Sequence, residues 1–135
     1  MDKENAKDKG LVITTEETMY IKEFDLPLYQ SVGDVVGGYI EKVSPQGLKE
    51  PFCFLCNEEG LLKNLPINVM GSLWYGTLNH GQPIVGNIVV MKLGYRDGEP
   101  DIIGLEDSEI DEIKSMVTVV SSGHVREVNA DANLS

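Results

Sequence analysis

The sequence predicts an α+β fold, with one mostly antiparallel sheet of about five strands and two or three short helices. Phe52–Cys56 is apolar throughout, which is typical of a buried central strand. Ile84–Leu93 is a second run rich in β-forming residues. The turn signal Asn57–Gly60 is followed by Leu61-Leu62, and the turn signal Arg96–Glu99 by a short apolar stretch at Ile102-Ile103. Strands joined in this way pair in sequence order, which favours an antiparallel sheet over a wound parallel one.

The first predicted unit is Leu11–Phe24, a strand or hairpin rich in threonine, valine, isoleucine and tyrosine, with its turn at Glu16-Glu17. Asp25 is expected to cap the helix that follows, and Pro27 is tolerated in the first helical turn. Apolar residues then recur at helical spacing. Gly37-Gly38 ends this helix, because glycine adopts the left-handed C-cap conformation at little cost.

The middle of the chain is predicted to add two strands around the central apolar run. Tyr39–Val43 alternates in the manner of a strand. After the central run, Gly60 is free to adopt positive φ in a tight turn, and Leu61-Leu62 would return as a partner strand. Leu65–Tyr75 is expected to hold a short helix that begins after Pro66.

The last third is predicted to contain a hairpin and a helix. Ile84–Leu93 and the short strand Ile102-Ile103 are joined by the turn at Arg96–Glu99. Ser108 is expected to cap the final helix, with Asp111 three residues later approximating a capping box. The buried stripe of this helix is predicted to be Ile110, Ile113 and Val117.

The 135 residues are expected to form a single domain over residues 11–120, with flexible tails at 1–10 and 121–135. No apolar run approaches the roughly 18 residues that a membrane span requires, and the N-terminus MDKENAKDKG has no apolar signal core. Two cysteines suit a reducing compartment. We therefore expect a cytoplasmic protein that does not contact a membrane.

The charge balance is acidic, with 22 acidic against 11 basic residues and a net charge of −11. Such a chain is repelled by phosphate backbones and by anionic lipid, so direct nucleic-acid binding is disfavoured. The excess of carboxylates has two interpretations. It keeps the protein soluble, or it forms a face that fits a partner with a basic groove, as a DNA mimic would.

Three blocks of sequence resemble a known family. They are VGGYIE at Val36–Glu41, CNEEGLLKNLPIN at Cys56–Asn68 and PIVGNIVV at Pro83–Val90. Their order and spacing resemble the family called domain of unknown function 3846, over residues 20–120. The resemblance implies a small acidic protein of a phage or another mobile element, and it implies no activity. Family members often carry arginine directly after the last Asn of the second block, where this chain has Val69.

Cys53 and Cys56 form a C-x-x-C pair inside the central strand. Positions three apart in a strand point to opposite faces, so these thiols are expected to be core residues rather than metal ligands or a redox pair. The carboxylates Glu58 and Glu59 lie on a turn, where such side chains are usually solvated. We predict no catalytic residues, no metal site and no cofactor.

Five residues are candidates for contact with a ligand or partner: Tyr39, Asn57, Glu58, Asn68 and Trp74. Asn68 either caps the following helix or contacts a ligand, and the cap is the commoner role. Trp74 either lies in the core or forms the wall of a small pocket. These alternatives stay open at the level of sequence.

A second candidate is an acidic partner surface on the predicted hairpin tip and the outer face of the last helix. It consists of Asp97, Glu99, Glu106, Asp107, Glu109, Asp111 and Glu112. We expect a non-enzymatic accessory protein that binds a host protein, for example a component of an anti-phage defence, in the host cytoplasm. The alternative is a small-molecule or nucleotide-sequestering protein with a pocket near Asn57 and Asn68. The sequence also leaves a homodimer open, because unpaired edge strands favour pairing.

Overall fold

The computed structural model describes residues 7–129. Strands and helices follow one another in the order ββαββααββαβ. The strands are β1 (Asp8–Ile13), β2 (Thr18–Phe24), β3 (Ile40–Val43), β4 (Phe52–Asn57), β5 (Ile88–Arg96), β6 (Glu99–Ile103) and β7 (Arg126–Glu127). The helices are α1 (Leu28–Val36), α2 (Val69–Tyr75), the single turn α3 (Thr77–His80) and α4 (Asp107–Val120).

The strands form one seven-stranded sheet in the order β3-β4-β5-β1-β2-β7, with β6 paired to β5. β5 is central, because it pairs with β4 along one edge and with β1 and then β6 along the other. Each neighbouring pair is antiparallel except β2–β7, which is parallel. The predicted α+β class and mostly antiparallel sheet are confirmed, whereas the prediction of about five strands is wrong.

Each face of the sheet carries its own core. α2 and α4 cover one face, where Met70, Trp74 and Ile113 pack against the sheet. α1 covers the other face, where its Val32 and Val36 pack against strand side chains. Along β4, Phe52, Phe54 and Cys56 belong to the α2/α4 side and Leu55 to the α1 side, as strand alternation requires. Because helices cover both faces of the sheet, β4 is buried throughout.

The predicted hairpin at the start of the chain is present as β1 and β2, and Glu17 in its turn has φ 61°. The predicted Asp25 cap is wrong. α1 begins at Leu28 after Pro27, and the Asp25 backbone carbonyl accepts a hydrogen bond from Ser31 Oγ at 2.7 Å. The predicted end of this helix is confirmed, since Gly37 has φ 90° and its N–H donates to the Gly33 carbonyl at 2.8 Å.

The predicted partner strand at Leu61-Leu62 is wrong. These residues lie in consecutive turns and are 51% and 82% exposed. β3 and β5 occupy both edges of β4, so no edge is left for a returning strand. Asn64, rather than the predicted Gly60, adopts positive φ in this segment.

The predicted cap at Ser108 is also wrong. α4 begins at Asp107, and Glu106 is its N-cap residue. The Glu106 N–H donates to Glu109 Oε1 at 2.8 Å, which is half of a capping box set two residues earlier than expected. The buried stripe is as predicted, with Ile110, Ile113 and Val117 all in the core.

Three boundaries differ from those predicted. β5 begins at Ile88 rather than Ile84, because Gly86 has φ 82° and turns the chain. Residues 121–129, assigned from the sequence to a tail, include β7, and the first strand reaches back to Asp8. Residues 1–6 and 130–135 of the predicted tails lie outside the described residues. Within the described range, no helix combines the length and apolar character needed to cross a bilayer.

Candidate functional site

The segment Asn57–Asn68 connects α1 to the strands through hydrogen bonds. Asn57 is 5% exposed, and its Nδ2 donates to the Val36 carbonyl at 3.0 Å. Its Oδ1 accepts the Glu59 N–H at 2.7 Å. Lys63 Nζ donates to the Gly37 carbonyl at 3.2 Å. The second sequence block therefore holds the first block at the C-terminal end of α1.

The other end of the segment is held by Asn68, which is fully buried. Its Nδ2 donates to the carbonyls of Ile13 and Gly86, both at 3.0 Å. Its Oδ1 accepts the Gly71 N–H at 2.9 Å and so caps α2. Since the side chain satisfies three backbone groups of the core, Asn68 has a structural role that accounts for its position.

The five ligand candidates do not share one cavity. Asn57 and Glu58 line a small cleft of about 110 Å³. Tyr39 lines a different groove, although its carbonyl accepts the Glu58 N–H at 2.8 Å and so keeps it beside that cleft. Trp74 is 2% exposed and stacks on Phe54 with ring centroids 6.5 Å apart. The structure thus brings Tyr39, Asn57 and Glu58 together and places Asn68 and Trp74 in the core.

The surface around Tyr39 forms a groove of about 420 Å³, here called the tyrosine groove. Tyr29 and Tyr39 are 70% and 74% exposed. The groove is lined by Tyr29, Gln30, Gly33, Asp34, Gly37, Gly38, Tyr39 and Lys63. Tyr39 was predicted from the sequence as a contact residue, whereas Tyr29 was not. Tyr29, Gly33 and Gly37 follow one another at intervals of four, a spacing that places an aromatic ring above bare backbone on one face of a helix.

The floor of the tyrosine groove is glycine because the backbone approaches closely there. A Cβ added at Gly33 would lie 2.9 Å from the Gly38 carbonyl oxygen. A Cβ added at Gly38 would lie 2.7 Å from Lys63 Nζ and 3.1 Å from Asn57 Nδ2. These glycines let α1 end against the turn that leads into β3.

The groove lies at the C-terminal end of α1, where carbonyl groups give the helix a partial negative charge. Lys63 places its ammonium group on one of these carbonyls, that of Gly37. Asp34 adds a carboxylate to the lining. Asp34 and the helix end favour a cation, and Lys63 already supplies one at the Gly37 carbonyl.

The predicted acidic partner surface is partly neutralised by lysine residues, three of them outside α4. Lys92 Nζ lies 2.8 Å from Glu109 Oε1, and Lys9 Nζ lies 2.9 Å from Asp107 Oδ1. Further pairs join Lys49 to Glu112 and Lys114 to Asp111. Ion pairs thus engage Asp107, Glu109, Asp111 and Glu112. Lys9 and Lys49 could not be assigned as partners from the sequence because they lie far from the acidic run along the chain, whereas Lys114 lies only two residues after it.

The hairpin tip is the more exposed part of this surface. Asp97 and Glu99 are exposed, and Asp97 adopts φ 53° in the turn between β5 and β6. Arg96 lies beside this turn and pairs with both Asp8 and Asp101. The seven predicted residues therefore form two separate regions, a charged hairpin tip and a helix whose carboxylates are largely paired.

The two cysteines are free and buried. Burial raises the pKa of Cys53 to about 11 and the pKa of Cys56 to about 12. Thiols in this state are protonated at neutral pH and poorly nucleophilic. Both cysteines behave as small core residues, as predicted. Among residues 7–129, no three His, Cys, Asp or Glu side chains are grouped as metal ligands.

The fold and the groove define a small acidic α+β domain. Its buried residues Asn57 and Asn68 form hydrogen bonds with backbone carbonyl groups. Residues 8–118 match the family described as Domain of unknown function (DUF3846). The chain belongs to this family.

A solved structure, described as the crystal structure of small RNA methyltransferase HEN1, is similar to this chain with a TM-score of 0.53 and 13% identity. The similarity covers 81% of this chain and 16% of that one. The chain thus spans less than a fifth of the methyltransferase, and the likeness shows the fold alone. No curated protein matches the sequence.

Proposed function

We propose that this member of the DUF3846 family is a non-catalytic accessory protein of a phage or mobile element that binds a host protein in the host cytoplasm. A component of an anti-phage defence fits this role. The observation that carries the proposal is the tyrosine groove, where Tyr29 and Tyr39 remain over two-thirds exposed and which three glycines also line. Exposed tyrosines of this kind are typical of protein-binding surfaces.

The distribution of charge supports a basic partner. Most described lysine and arginine side chains are held in ion pairs, and the pairs join Lys7–Asp25, Lys9–Asp107, Lys49–Glu112, Lys92–Glu109, Arg96–Asp8 and Lys114–Glu127. Other carboxylates project from the surface near the tyrosine groove, at Asp34, Glu58 and Glu59. A net charge of −11 speeds encounter with a positively charged protein at low salt.

The alternative, a nucleotide-sequestering pocket near Asn57 and Asn68, has less support. The cleft beside Asn57 has a volume of about 110 Å³, whereas small-molecule pockets usually enclose about 300–1,000 Å³. The two asparagine amides already bond to backbone groups. These dimensions favour a macromolecular partner over a nucleotide.

The test is capture of a partner from host lysate on tagged protein, with washes from about 0.1 M to about 1 M NaCl, which shorten the Debye length from about 10 Å to about 3 Å. We expect a defined host protein that is retained at low salt and released as salt rises. A Glu58→Gln/Glu59→Gln variant is expected to retain less of it. Recovery of no partner at any salt concentration would contradict the proposal. So would enzymatic turnover that disappears when Glu58 is neutralised.

A further inference from the structure

We infer that the tyrosine groove and the apolar groove beside it form one docking site for an extended protein segment that carries an arginine flanked by apolar side chains. This inference rests on the proposed function and names the chemistry of the partner. It goes beyond the acidic surface predicted from the sequence, because the site is centred on α1 and β3. Of the segment Asp97–Glu112, it includes only Asp101 and Ile102.

The second groove adjoins the first at a shared side chain. It has a volume of about 450 Å³ and lies between the start of α1 and the sheet. Its lining is largely apolar and includes Leu26, Leu28, Ile40, Leu55 and Ile102, with Arg96 and Asp101 also present. Tyr29 lines both grooves, so one bound chain passing Tyr29 would contact both.

The tyrosine groove has the features that recognise a guanidinium group. The faces of Tyr29 and Tyr39 offer cation–π stacking to a planar cation. The Asp34 carboxylate in the groove lining accepts hydrogen bonds from its donors. Within the chain itself, Lys63 Nζ donates to the Gly37 carbonyl at 3.2 Å, so that carbonyl is already engaged and the arginine is expected to bind at Asp34 and the two rings.

The glycine floor explains why an extended segment fits better than a bulky globular surface. Gly33, Gly37 and Gly38 line the groove together with the two tyrosines, and Gly37 and Gly38 leave backbone partly exposed there. Side chains at Gly33 or Gly38 would collide with neighbouring atoms within 3 Å, so the floor stays open and shallow. Leu26, which is 52% exposed, extends the apolar surface on the other side of Tyr29.

The probe is a capped peptide in which one arginine, bordered by glycines, has two leucines on each side, so that either chain direction presents both elements. One matched peptide replaces arginine by neutral citrulline, and another replaces the leucines by serines. Binding to the full ¹⁵N-labelled chain is followed by amide chemical shifts. We expect shifts at Gly33, Gly37 and Gly38 that require arginine, and shifts at Ile40 and Ile102 that require leucine.

Point variants identify the site. Because a cation–π contact at an exposed site contributes modestly, we expect Tyr39→Ala to weaken binding of the arginine peptide about fivefold. Tyr29→Ala is expected to weaken it more, since Tyr29 borders both grooves. The matched control is Tyr95→Ala, because Tyr95 is 73% exposed on β5 and contributes to the lining of neither groove. Circular dichroism of each variant checks that the fold is retained.

Three results would overturn the inference: equal binding of the arginine and citrulline peptides, shifts confined to the hairpin tip Asp97–Glu99 and to α4, or no binding at millimolar peptide. The proposed function fails separately. A host protein that stays bound to the Tyr29→Ala/Tyr39→Ala variant would overturn the docking site and leave the proposed function standing. Absence of a host partner, with the arginine peptide still bound in the groove, would contradict the proposed function alone.

Discussion

Asparagine side chains form hydrogen bonds with backbone N–H and carbonyl groups at the ends of the strands and helices of this protein. Asn57 and Asn68 each offer a donor and an acceptor, and both functions are used. Asn87 does the same between Thr15 and Val35. Among the described residues, no buried side-chain polar atom lacks a partner. An amide suits this role because a carboxylate cannot donate and a hydroxyl has a shorter reach.

Replacement of Asn68 tests this role. Asn68→Ala removes the helix cap and leaves the buried carbonyls of Ile13 and Gly86 without a donor. We expect a loss of about 2–4 kcal/mol in the free energy of unfolding, from a cap worth about 1 kcal/mol and at least one unsatisfied buried group. Urea denaturation measures it. The exposed Asn79→Ala is the control and should change stability by less than about 0.5 kcal/mol. Equal effects of the two substitutions would contradict the structural role.

The buried thiols make stability depend on alkaline pH. Burial raises the pKa of Cys53 to about 11 and of Cys56 to about 12, whereas an unfolded cysteine has a pKa of about 8.5. A raised folded pKa gives stability that is complete below the unfolded pKa and is lost as pH rises above it.

We therefore expect the free energy of unfolding to fall between about pH 8.5 and pH 10.5, by up to about 1.4 kcal/mol per pH unit for each thiol. Urea denaturation across this range measures the slope. A Cys53→Ala/Cys56→Ala variant should show a shallower slope. Burial also raises the pKa of Tyr20, so some dependence remains in the variant. Equal slopes in the two proteins would show that the thiols do not contribute.

At the level of single residues, sequence reasoning succeeded where the signal is local. Asn68 lies directly before a helix, so its cap was readable from its position. The partners of Asn57 were not readable, because Val36 lies 21 residues away and is reached only once β4 is placed beside α1. Tyr29 was missed because its exposure depends on α1 covering the sheet with the opposite face of the helix.

At the scale of elements, α4 is fixed to the sheet by charge as well as by its apolar stripe. Lys92 projects from β5 toward Glu109 in the first turn of α4, and both side chains are mostly buried. Glu109 also accepts the Glu106 N–H. Burial opposes ionisation of Glu109, but hydrogen bonds from Lys92 and from the Glu106 backbone outweigh it and lower the pKa of this carboxyl.

A lowered folded pKa contributes stability that is present above the unfolded value and is lost as pH falls through the folded value. We expect Glu109→Gln to destabilise the protein by about 1 kcal/mol at pH 7. The difference from the unsubstituted protein should begin to shrink near about pH 4.3, where unfolded glutamate protonates, and should vanish once the pH lies below the lowered pKa of folded Glu109. Denaturant unfolding at several pH values measures both. Glu112→Gln, at the more exposed pair with Lys49, should have a smaller effect. A constant difference at all pH values would contradict the assignment.

The two-residue strand β7 positions a core residue, Val125. The Arg126 N–H donates to the Glu17 carbonyl at 3.1 Å, and the Val128 N–H donates to the Met19 carbonyl at 2.8 Å. These bonds hold Val125, which is 4% exposed, against the α2/α4 core. So short a strand has no periodicity, which is why the sequence assigned this region to a tail.

We expect Val125→Ala to lower the free energy of unfolding by about 2 kcal/mol, since each buried methylene contributes about 0.8 kcal/mol and a residual cavity adds to the loss. Thermal and urea denaturation measure the change. Val119→Ala is the matched control, because Val119 is 77% exposed near the end of α4. A loss as small as that of the control would show that β7 lies outside the cooperative unit.

At the scale of the molecule, two electrostatic effects oppose one another. The net charge of −11 makes the compact state repel itself, and added salt relieves that repulsion. Ion pairs such as Lys9–Asp107 and Lys49–Glu112 act in the opposite sense, because salt screens their attraction. Most of these pairs have at least one partner well exposed, and pairs of that kind contribute little individually.

Self-repulsion should therefore dominate, and the free energy of unfolding should rise as NaCl increases from about 0.01 M to about 0.1 M, where the Debye length falls from about 30 Å to about 10 Å. Urea denaturation at fixed pH measures the rise. A Glu58→Gln/Glu59→Gln variant has less charge to screen and should respond more weakly to the same salt. Its stability at the lowest salt should equal or exceed that of the unsubstituted protein. A fall in stability over this range would show that the ion pairs, rather than the surplus carboxylates, set the electrostatic contribution to folding.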